Sequence, residues 1–179
     1  NLLQYDFDQI ISKFDHYLEF FNSKKNIYTD KSLFNFIHLG LIKIIFPNSK
    51  VIHTTRNQKD NCLSIYKNSF TNLNWTNDEQ NINKFYYLYK DLMNFWNVKL
   101  ENFIYELNYE NLINNPEKKI KELLNFCSLD FEKNCLEFFH NKNQVKTASI
   151  TQVRKDFYTS SINLYKNYEN EFKNLFKDL

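Results

Sequence analysis

The feature that most constrains the fold is a pair of short strand-like stretches separated by helical sequence. Val51 to Thr54 and Phe103 to Asn108 read as strands, and the segment between them carries two helical patterns. A strand that returns to the same sheet after helices does so by a right-handed crossover, which makes the two strands parallel. Parallel sheets are covered by helices on both faces and usually contain more than two strands. We therefore predict an α/β domain with a parallel sheet flanked by helices, and at least one strand outside this sequence.

Helices are predicted from apolar residues at three- and four-residue steps and from capping residues. We expect an amphipathic helix from Phe7 to Phe21 and a mostly apolar, buried helix from Ser32 to Phe46, which Pro47 ends. Asn115 is the expected N-cap of a helix that starts at Pro116. With that one, the remaining predicted helices cover residues 60–70, 78–99, 116–127, 132–140 and 162–177.

The composition is that of one folded domain and says little about partners. The chain has 179 residues, 42% of them hydrophobic, which is enough for a substantial core. A formal net charge of +2 provides no strong attraction to nucleic acid or to an acidic membrane. Neither a membrane-length apolar run nor a signal peptide is recognisable. Because the sequence opens on Asn1, close to a predicted helix, we expect residues 1–179 to be a single domain that lacks its N-terminal part.

The cysteines argue against a metal site and against a disulfide framework. Cys62, Cys127 and Cys135 are odd in number and lack the spacing of zinc ligands. We expect no metal, and a reducing compartment such as the cytoplasm.

Side chains that suit an anionic ligand follow the predicted strands. Ligands of open α/β sheets bind beyond the carboxyl ends of the strands, where helix N-termini present free N–H groups. Arg56 follows the first strand, Ser64 lies in the next helix, and Tyr109 follows the second strand. An arginine fork with a hydroxyl suits a phosphate, whereas an aromatic ring can stack against a purine. Lys31 precedes an apolar helix, and "KTASITQVR" can aim hydroxyls into a cleft.

Each of these features also has a structural interpretation. On spacing alone, Arg56 as a loop cap and Ser64 as a small packing residue are the more frequent arrangement. A Tyr at a strand end more often belongs to a core, and most Ser/Thr loops only turn the chain. Lys31, taken by itself, is typical of a solvated turn. The individual residues therefore leave the chemistry open.

A family resemblance is carried, in order and spacing, by "TDKSLFNFIHLGLIKIIFPNSKVIHTTRNQKDNCLSIY", "YELNYENLINNPEKKIKELLNFCSL" and "VKTASITQVRKDFYTSSINLYKNY". These segments resemble the bacterial tetratricopeptide-linked sulfotransferases and, more distantly, the tyrosylprotein sulfotransferases, over nearly the whole chain from about Phe14. The resemblance implies a P-loop-like, three-layer α/β fold. It also implies transfer of a sulfuryl group from 3'-phosphoadenosine 5'-phosphosulfate to a hydroxyl acceptor, without a metal. A protein tyrosine, a sugar and a small alcohol all stay open as acceptors.

The resemblance implies roles for five residues. Arg56 and Ser64 match the pair that binds the 3'-phosphate, and Tyr109 matches the residue beside the adenine. Lys31 and Ser149 match the lysine and serine that contact the transferring sulfuryl group and the bridging oxygen. Charge builds on that oxygen in a loose in-line transition state, and each donor aimed at it is typically worth about 3 kcal/mol. We expect the apolar helix after Lys31 to be a buried support that holds the ammonium in place.

The sequence departs from the family pattern in three places. The glycine-containing loop that cradles the 5'-phosphosulfate has no counterpart, since the single glycine, Gly40, falls within a predicted helix. Asn163, Leu164 and Tyr165 stand where relatives usually carry a glycine, a basic residue and Trp, and Ser32 replaces a proline. We therefore expect the sequence as given to lack the first strand and the phosphosulfate loop, and to be inactive by itself.

Other interpretations of function stay open. One is a noncatalytic domain that keeps the fold and binds a nucleotide or a protein partner; a kinase-like P-loop enzyme is a weaker one. A cytoplasmic location is expected, with the Golgi lumen as the alternative for a protein of the tyrosylprotein type. We interpret His38, His53 and His140 as structural residues without a catalytic role.

Overall fold

The computed structural model describes residues 9, 12–13, 27–68, 70, 72–140, 157, 159–177 and 179. Most of the helix predicted from Phe7 to Phe21 therefore lies outside the described residues; Gln9, Ser12 and Lys13 are helical and exposed. The chain divides into two compact units. The first comprises Asn1–Ser49 and Leu92–Phe103, and the second comprises Lys50–Asp91 and Ile104–Leu179.

The regular elements alternate between helix and strand. In chain order they are α1 (Leu39–Ile45), β1 (Val51–Thr55), α2 (Gln58–Asn68), α3 (Glu79–Lys99), β2 (Ile104–Asn108), α4 (Tyr109–Asn114) and α5 (Pro116–Phe126). Short 3₁₀-helices occupy Asn35–His38, Asn74–Asn77, Lys133–Cys135, Phe138–His140 and Leu164–Tyr168. The predicted ranges of β1, β2 and α3 each agree with the structure to within one residue.

The two strands form a parallel sheet, as predicted. β1 pairs with β2 in a register that runs from Val51 opposite Ile104 to Thr55 opposite Asn108. Helices α2 and α3 connect them, and the fold is α/β. Because the strands are parallel and end at paired residues, their carboxyl ends lie side by side, and the residues that follow each strand emerge at one edge.

The core of the second unit lies between α2, the first half of α3 and the C-terminal residues. Cys62, Leu63, Ile82 and Leu175 are at most 1% exposed, and Phe176 is 6% exposed. Burying a large aliphatic side chain contributes about 1.5–3 kcal/mol, so this cluster attaches the C-terminus to the helices. The side chain of Asn83, on α3, reinforces the attachment by donating to the carbonyl oxygen of Lys177 at 2.7 Å.

The prediction of helices over 132–140 and 162–177 is wrong in type. The first range contains two 3₁₀ turns, and the second contains the 3₁₀-helix Leu164–Tyr168 followed by turns. In the second range, Asn163 has a left-handed backbone, with φ 58°, which interrupts a right-handed helix near its start. Tyr66 of α2 packs its ring against Phe172 at 5.2 Å between centroids, and Asn83 binds a backbone carbonyl.

The expectation of a buried helix from Ser32 to Phe46 is also wrong. The segment forms a 3₁₀ turn and then the short α1, in which Leu39 is buried. Leu33, Leu41 and Ile44 are 64%, 40% and 56% exposed. An apolar run on all sides does not ensure burial, because a helix buries only the side that a neighbouring element reaches.

Close packing in the first unit explains the only glycine of the sequence. A Cβ atom on Gly40 would lie 2.8 Å from Cη2 of Trp96, which is too short for a real contact. The indole Nε1 of Trp96 donates to the carbonyl oxygen of Phe36 at 2.8 Å, so the ring is fixed against the 3₁₀-helix that leads into α1. Gly40 therefore serves helix packing and cradles no phosphate.

Helix α4 was not predicted from the sequence. The side chain of Asn108 caps α4 by accepting from the N–H of Asn111 at 2.9 Å. Pro116 begins α5 as predicted, but Asn115 makes no side-chain capping bond. The sequence predicted Asn108 as the end of a strand, and the structure agrees. The same residue also caps the next helix.

Candidate functional site

The carboxyl ends of the two strands bring Arg56 and Tyr109 together. Thr55 and Asn108 are register partners, and the two candidates follow them directly. The guanidinium carbon of Arg56 lies 5.9 Å from the centroid of the Tyr109 ring, within the range of a cation–π contact. Both side chains are half-buried. The spatial proximity expected of these two residues is therefore present.

A carboxylate links the two loops that carry these residues. Glu110 accepts from the backbone N–H of Asn57 at 2.8 Å through Oε1 and from the side-chain amide of Asn108 at 2.8 Å through Oε2. Since Asn57 precedes α2, the link fixes the start of that helix to the start of α4. The positions of Arg56 and Tyr109 are thus held by one side chain.

The guanidinium of Arg56 is only partly satisfied. Its Nη2 donates to the carbonyl oxygen of Ser161 at 2.9 Å, whereas its Nε is buried and has no hydrogen-bond partner within the part of the chain that the structure describes. A buried N–H donor without a partner costs free energy, which an anion placed there would recover. The bond to Ser161 agrees with the structural interpretation of Arg56 as a loop cap, and the buried Nε–H is a polar group that this bond does not use.

Asp60 binds the C-terminal residues beside Arg56 through two hydrogen bonds. This side chain, in the first turn of α2, is 2% exposed. It accepts from the N–H of Asn163 at 2.7 Å and from the N–H of Tyr165 at 2.9 Å. Asn163 has φ 58° and ψ 21°, the left-handed conformation that glycine adopts most readily and asparagine tolerates. Asparagine can therefore occupy the position where a glycine was expected.

Ser64 lies on the side of α2 that faces the same segment. It follows Asp60 by four residues, which places the two side chains on one face of the helix. Ser64 is half-buried, and its Oγ accepts from the side-chain amide of Asn68 at the long distance of 3.5 Å. Its hydroxyl therefore has a weak local partner.

Of the two residues expected at the sulfuryl group, Lys31 is described by the structure and Ser149 is not. Lys31 belongs to the first unit and is exposed. The fully buried support expected behind it is not seen, since Leu39 is the one buried residue between Asn35 and Ile45. Beside it, Asp30 accepts from the side-chain amide of Asn35 at 2.7 Å. Ser149 and the whole of "KTASITQVR" lie outside the described residues.

The histidines have structural surroundings. Nε2 of His53 is hydrogen-bonded to the hydroxyl of Tyr89, and burial lowers the pKa of His53, an effect that the nearby Glu106 opposes. Burial and Glu106 raise the pKa of Tyr89 to about 12, so this hydroxyl stays protonated. His38 is exposed, and His140 ends a 3₁₀ turn with its side chain 71% exposed. These environments fit the structural interpretation.

The cysteines do not provide a nucleophile in the core. Burial raises the pKa of Cys62 to about 12, so its thiol stays protonated and its 0% exposure keeps substrates away. All three cysteines are free thiols.

Sequence reasoning missed Asp60, Glu110 and Ser161 as parts of the site. In the sequence, Asp60 marks only the start of a predicted helix, where an acidic residue usually interacts favourably with the helix dipole. Asp60 is four residues from both Arg56 and Ser64 in the sequence. This spacing indicates a role in the site only when the segment that Asp60 binds is known. Ser161 contributes a backbone carbonyl, which leaves no mark in the sequence.

Comparison with known proteins decides the family. The model of the sulfotransferase family matches residues 2–133, well over half of the chain. The chain belongs to the sulfotransferase family. It is also 40% identical, over 144 residues and 78% of its length, to an uncharacterized protein of Aquifex aeolicus (strain VF5). It spans 19% of the length of that protein.

The sulfotransferase match contains four of the five residues with an expected role. Lys31, Arg56, Ser64 and Tyr109 fall within it, whereas Ser149 and the segment that Asp60 binds follow its last matched residue. Within the described ranges, no cluster of three or more His, Cys, Asp or Glu side chains is placed to hold a metal ion. Nor does the described part of the chain contain a helix long and apolar enough to cross a membrane.

Proposed function

We propose that this sulfotransferase-family chain takes part in transferring a sulfuryl group from 3'-phosphoadenosine 5'-phosphosulfate to a hydroxyl acceptor. The observation that carries the proposal is the environment of Arg56. A guanidinium at the carboxyl end of a parallel strand, with one buried N–H that no described residue pairs with, is suited to a doubly charged phosphate. The Tyr109 ring beside it offers a surface for the adenine.

In this proposal, Arg56 and Ser64 bind the 3'-phosphate and anchor the donor remotely from the reacting bond. Ser64 is on the face of α2 that carries Asp60, and its hydroxyl has a weak local partner, the amide of Asn68 at 3.5 Å. A 3'-phosphate distinguishes the sulfuryl donor from ordinary adenine nucleotides. Because an Arg left without its anion is costly, this anchor provides discrimination as well as affinity.

The chemical step assigns roles to Lys31 and Ser149. The acceptor oxygen attacks sulfur in line, the bond between sulfur and the bridging oxygen breaks, and that oxygen leaves on the nucleotide with a negative charge. The Lys31 ammonium and the Ser149 hydroxyl stabilise the charge as it develops. The acceptor loses its proton to a base.

The acceptor is a hydroxyl compound, and a protein tyrosine is our first choice because the sequence resembles the tyrosylprotein sulfotransferases. Radiolabelled donor offered with tyrosine peptides, with oligosaccharides and with small alcohols separates the three classes. Label on the sugar or the alcohol alone would exclude tyrosine. Label on none of them, with the nucleotide still bound, would favour a noncatalytic binding domain.

We also propose a cytoplasmic location. The support is that Cys62, Cys127 and Cys135 are all unpaired, as thiols are in a reducing compartment. Fractionation of cells that produce the protein, with a thiol-alkylation assay, tests the location.

The central test is the affinity for two nucleotides measured by calorimetry on the full-length protein. For 3'-phosphoadenosine 5'-phosphate we expect Arg56→Ala to cost about 2 kcal/mol, roughly 30-fold in Kd, since a hydrogen bond to a charged group is lost. For adenosine 5'-monophosphate, which lacks the 3'-phosphate, the Kd should change little. Lys121→Gln removes a positive charge that pairs with Glu117 on α5 and should change neither affinity. Equal losses for both nucleotides would refute the role of Arg56.

A further inference from the structure

Asp60 binds a distant segment of the chain, which is more than the capping of its own helix. A carboxylate that is 2% exposed has lost its water, and such burial is costly unless hydrogen bonds replace that water. Two backbone N–H groups of a distant segment provide them, one to each oxygen, at 2.7 Å from Asn163 and 2.9 Å from Tyr165. Charge-assisted bonds of this kind are among the stronger ones in proteins.

The backbone of the partner segment is shaped for an anion. Asn163 is left-handed, with φ 58°, and the right-handed 3₁₀-helix starts at Leu164. Alternation of the two hands turns successive N–H groups toward one concavity, a nest that binds anions. The carboxylate of Asp60 is the anion that fills this nest. The segment's conformation and the carboxylate therefore stabilise each other.

The same segment also holds Arg56. The carbonyl oxygen of Ser161, two residues before Asn163, accepts from Nη2 of Arg56 at 2.9 Å. The stretch of residues 56–60 is therefore joined to the stretch of residues 161–165 at both ends. Arg56 binds Ser161 at one end, and Asp60 binds Tyr165 at the other. With Nη2 engaged, the guanidinium cannot rotate freely, and its buried Nε–H keeps one direction.

We propose that Asp60 is a positioning residue for discrimination between nucleotides with and without a 3'-phosphate. It fixes the segment Ser161–Tyr165, which in turn orients Arg56 before any ligand arrives. This inference rests on the proposed function, because it assumes that Arg56 receives the 3'-phosphate. An orientation that exists before binding raises affinity, since no side-chain freedom is lost on association.

The test compares Asp60→Asn with the wild type in the full-length protein. Asparagine keeps the shape but has one oxygen for two N–H groups, and its own amide faces the second of them. We measure Kd by calorimetry for 3'-phosphoadenosine 5'-phosphate and for adenosine 5'-monophosphate. The ratio of the Kd for adenosine 5'-monophosphate to the Kd for 3'-phosphoadenosine 5'-phosphate should fall about tenfold in the variant. The Kd for the monophosphate should stay almost unchanged.

Glu169→Gln is the matched control. It removes the exposed ion pair of 2.9 Å between Lys59 and Glu169, which also joins α2 to the C-terminal residues but does not involve the nest. Its ratio of Kd values should equal that of the wild type. If Asp60→Asn does not fold, Asn163→Ala replaces it, because alanine disfavours the left-handed backbone while leaving Asp60 in place; the ratio should fall in the same direction.

The outcomes separate the two proposals. A wild type that binds both nucleotides equally well would refute the 3'-phosphate site, and the role of Asp60 with it. A wild type that discriminates, with a variant whose ratio is unchanged, would refute the role of Asp60 alone. The same holds if both Kd values rise by one common factor, since that is the signature of a merely structural residue.

Discussion

Arg56 donates to the carbonyl oxygen of Ser161 at 2.9 Å, although 105 residues separate them in the sequence. The bond places the C-terminal segment against the carboxyl ends of the parallel strands. It also explains how a half-buried guanidinium is kept in place while one of its N–H groups stays without a partner among the described residues. The candidate site of this sulfotransferase-family chain is therefore built from the middle and the end of the chain together.

Gly40 should not tolerate a side chain. Alanine favours a helix by about 1 kcal/mol over glycine, but overpacking usually costs about 1–3 kcal/mol. Since the added Cβ would lie 2.8 Å from the Trp96 ring, we expect Gly40→Ala to lower the free energy of unfolding by about 1 kcal/mol. Denaturant unfolding measures it. In a Trp96→Phe background the same change should become stabilising; a loss of equal size there would show that the ring is not responsible.

The left-handed backbone at Asn163 should make this position sensitive to residue type although its side chain is exposed. Alanine there is expected to destabilise the protein by about 1 kcal/mol, whereas glycine should stay within about 0.5 kcal/mol of the wild type. Thermal and denaturant unfolding give both values. Asn167→Ala, an exposed change in the same 3₁₀-helix, is the control and should have little effect. Equal stability of the alanine and glycine variants would contradict the role of the backbone conformation.

Stability should fall in mild acid because of His53. Burial lowers its pKa below the ordinary 6.5, so the unfolded state binds the proton more readily than the folded state does. The folded state is therefore favoured fully above pH 6.5 and loses stability as the pH falls from there toward the lowered pKa. Urea unfolding between about pH 5 and pH 8 measures the slope.

His53→Gln is the variant that checks this assignment. It keeps a polar partner for Tyr89 but cannot take up a proton, and its slope in that range should be flatter than that of the wild type. His140→Gln, on a side chain 71% exposed, controls for histidine content. A variant with the wild-type slope would assign the pH dependence to other groups.

Lys31 should affect turnover far more than donor affinity. If its ammonium stabilises the leaving oxygen, Lys31→Ala is expected to lower kcat by about 100-fold while the Kd of the donor changes little. Steady-state kinetics with labelled donor, beside calorimetry, provides both numbers. Lys99→Ala, an exposed lysine at the end of α3, should behave as the wild type. A decrease in kcat of less than about threefold would exclude Lys31 from the chemistry.

Patterns that depend on near neighbours were predictable. The strands at Val51 and Ile104, the long helix α3 and the start of α5 at Pro116 all follow from local periodicity, β-branched residues and a proline. The parallel pairing followed from the crossover rule. Arg56 and Tyr109 could be named as candidates because each directly follows a strand, and strand ends of a parallel sheet share an edge.

Features that depend on distant partners could not be predicted from the sequence. The apolar period from Ile162 predicted a helix, but Asn163 has a left-handed backbone, and its N–H and that of Tyr165 bind Asp60. The apolar run around α1 predicted burial, but apolar character does not tell which sides a neighbour covers.

The sequence by itself determined the α/β class, the parallel pair of strands and the residue types that suit a phosphate, because each of these depends on short-range patterns and on one topological rule. Only the tertiary structure decided that Asp60 and Glu110 organise the loops around Arg56, and that the C-terminal segment is not an α-helix. The physical reason is that a hydrogen bond between groups some hundred residues apart has no local signature, yet it can outweigh the small differences in free energy between alternative backbone conformations.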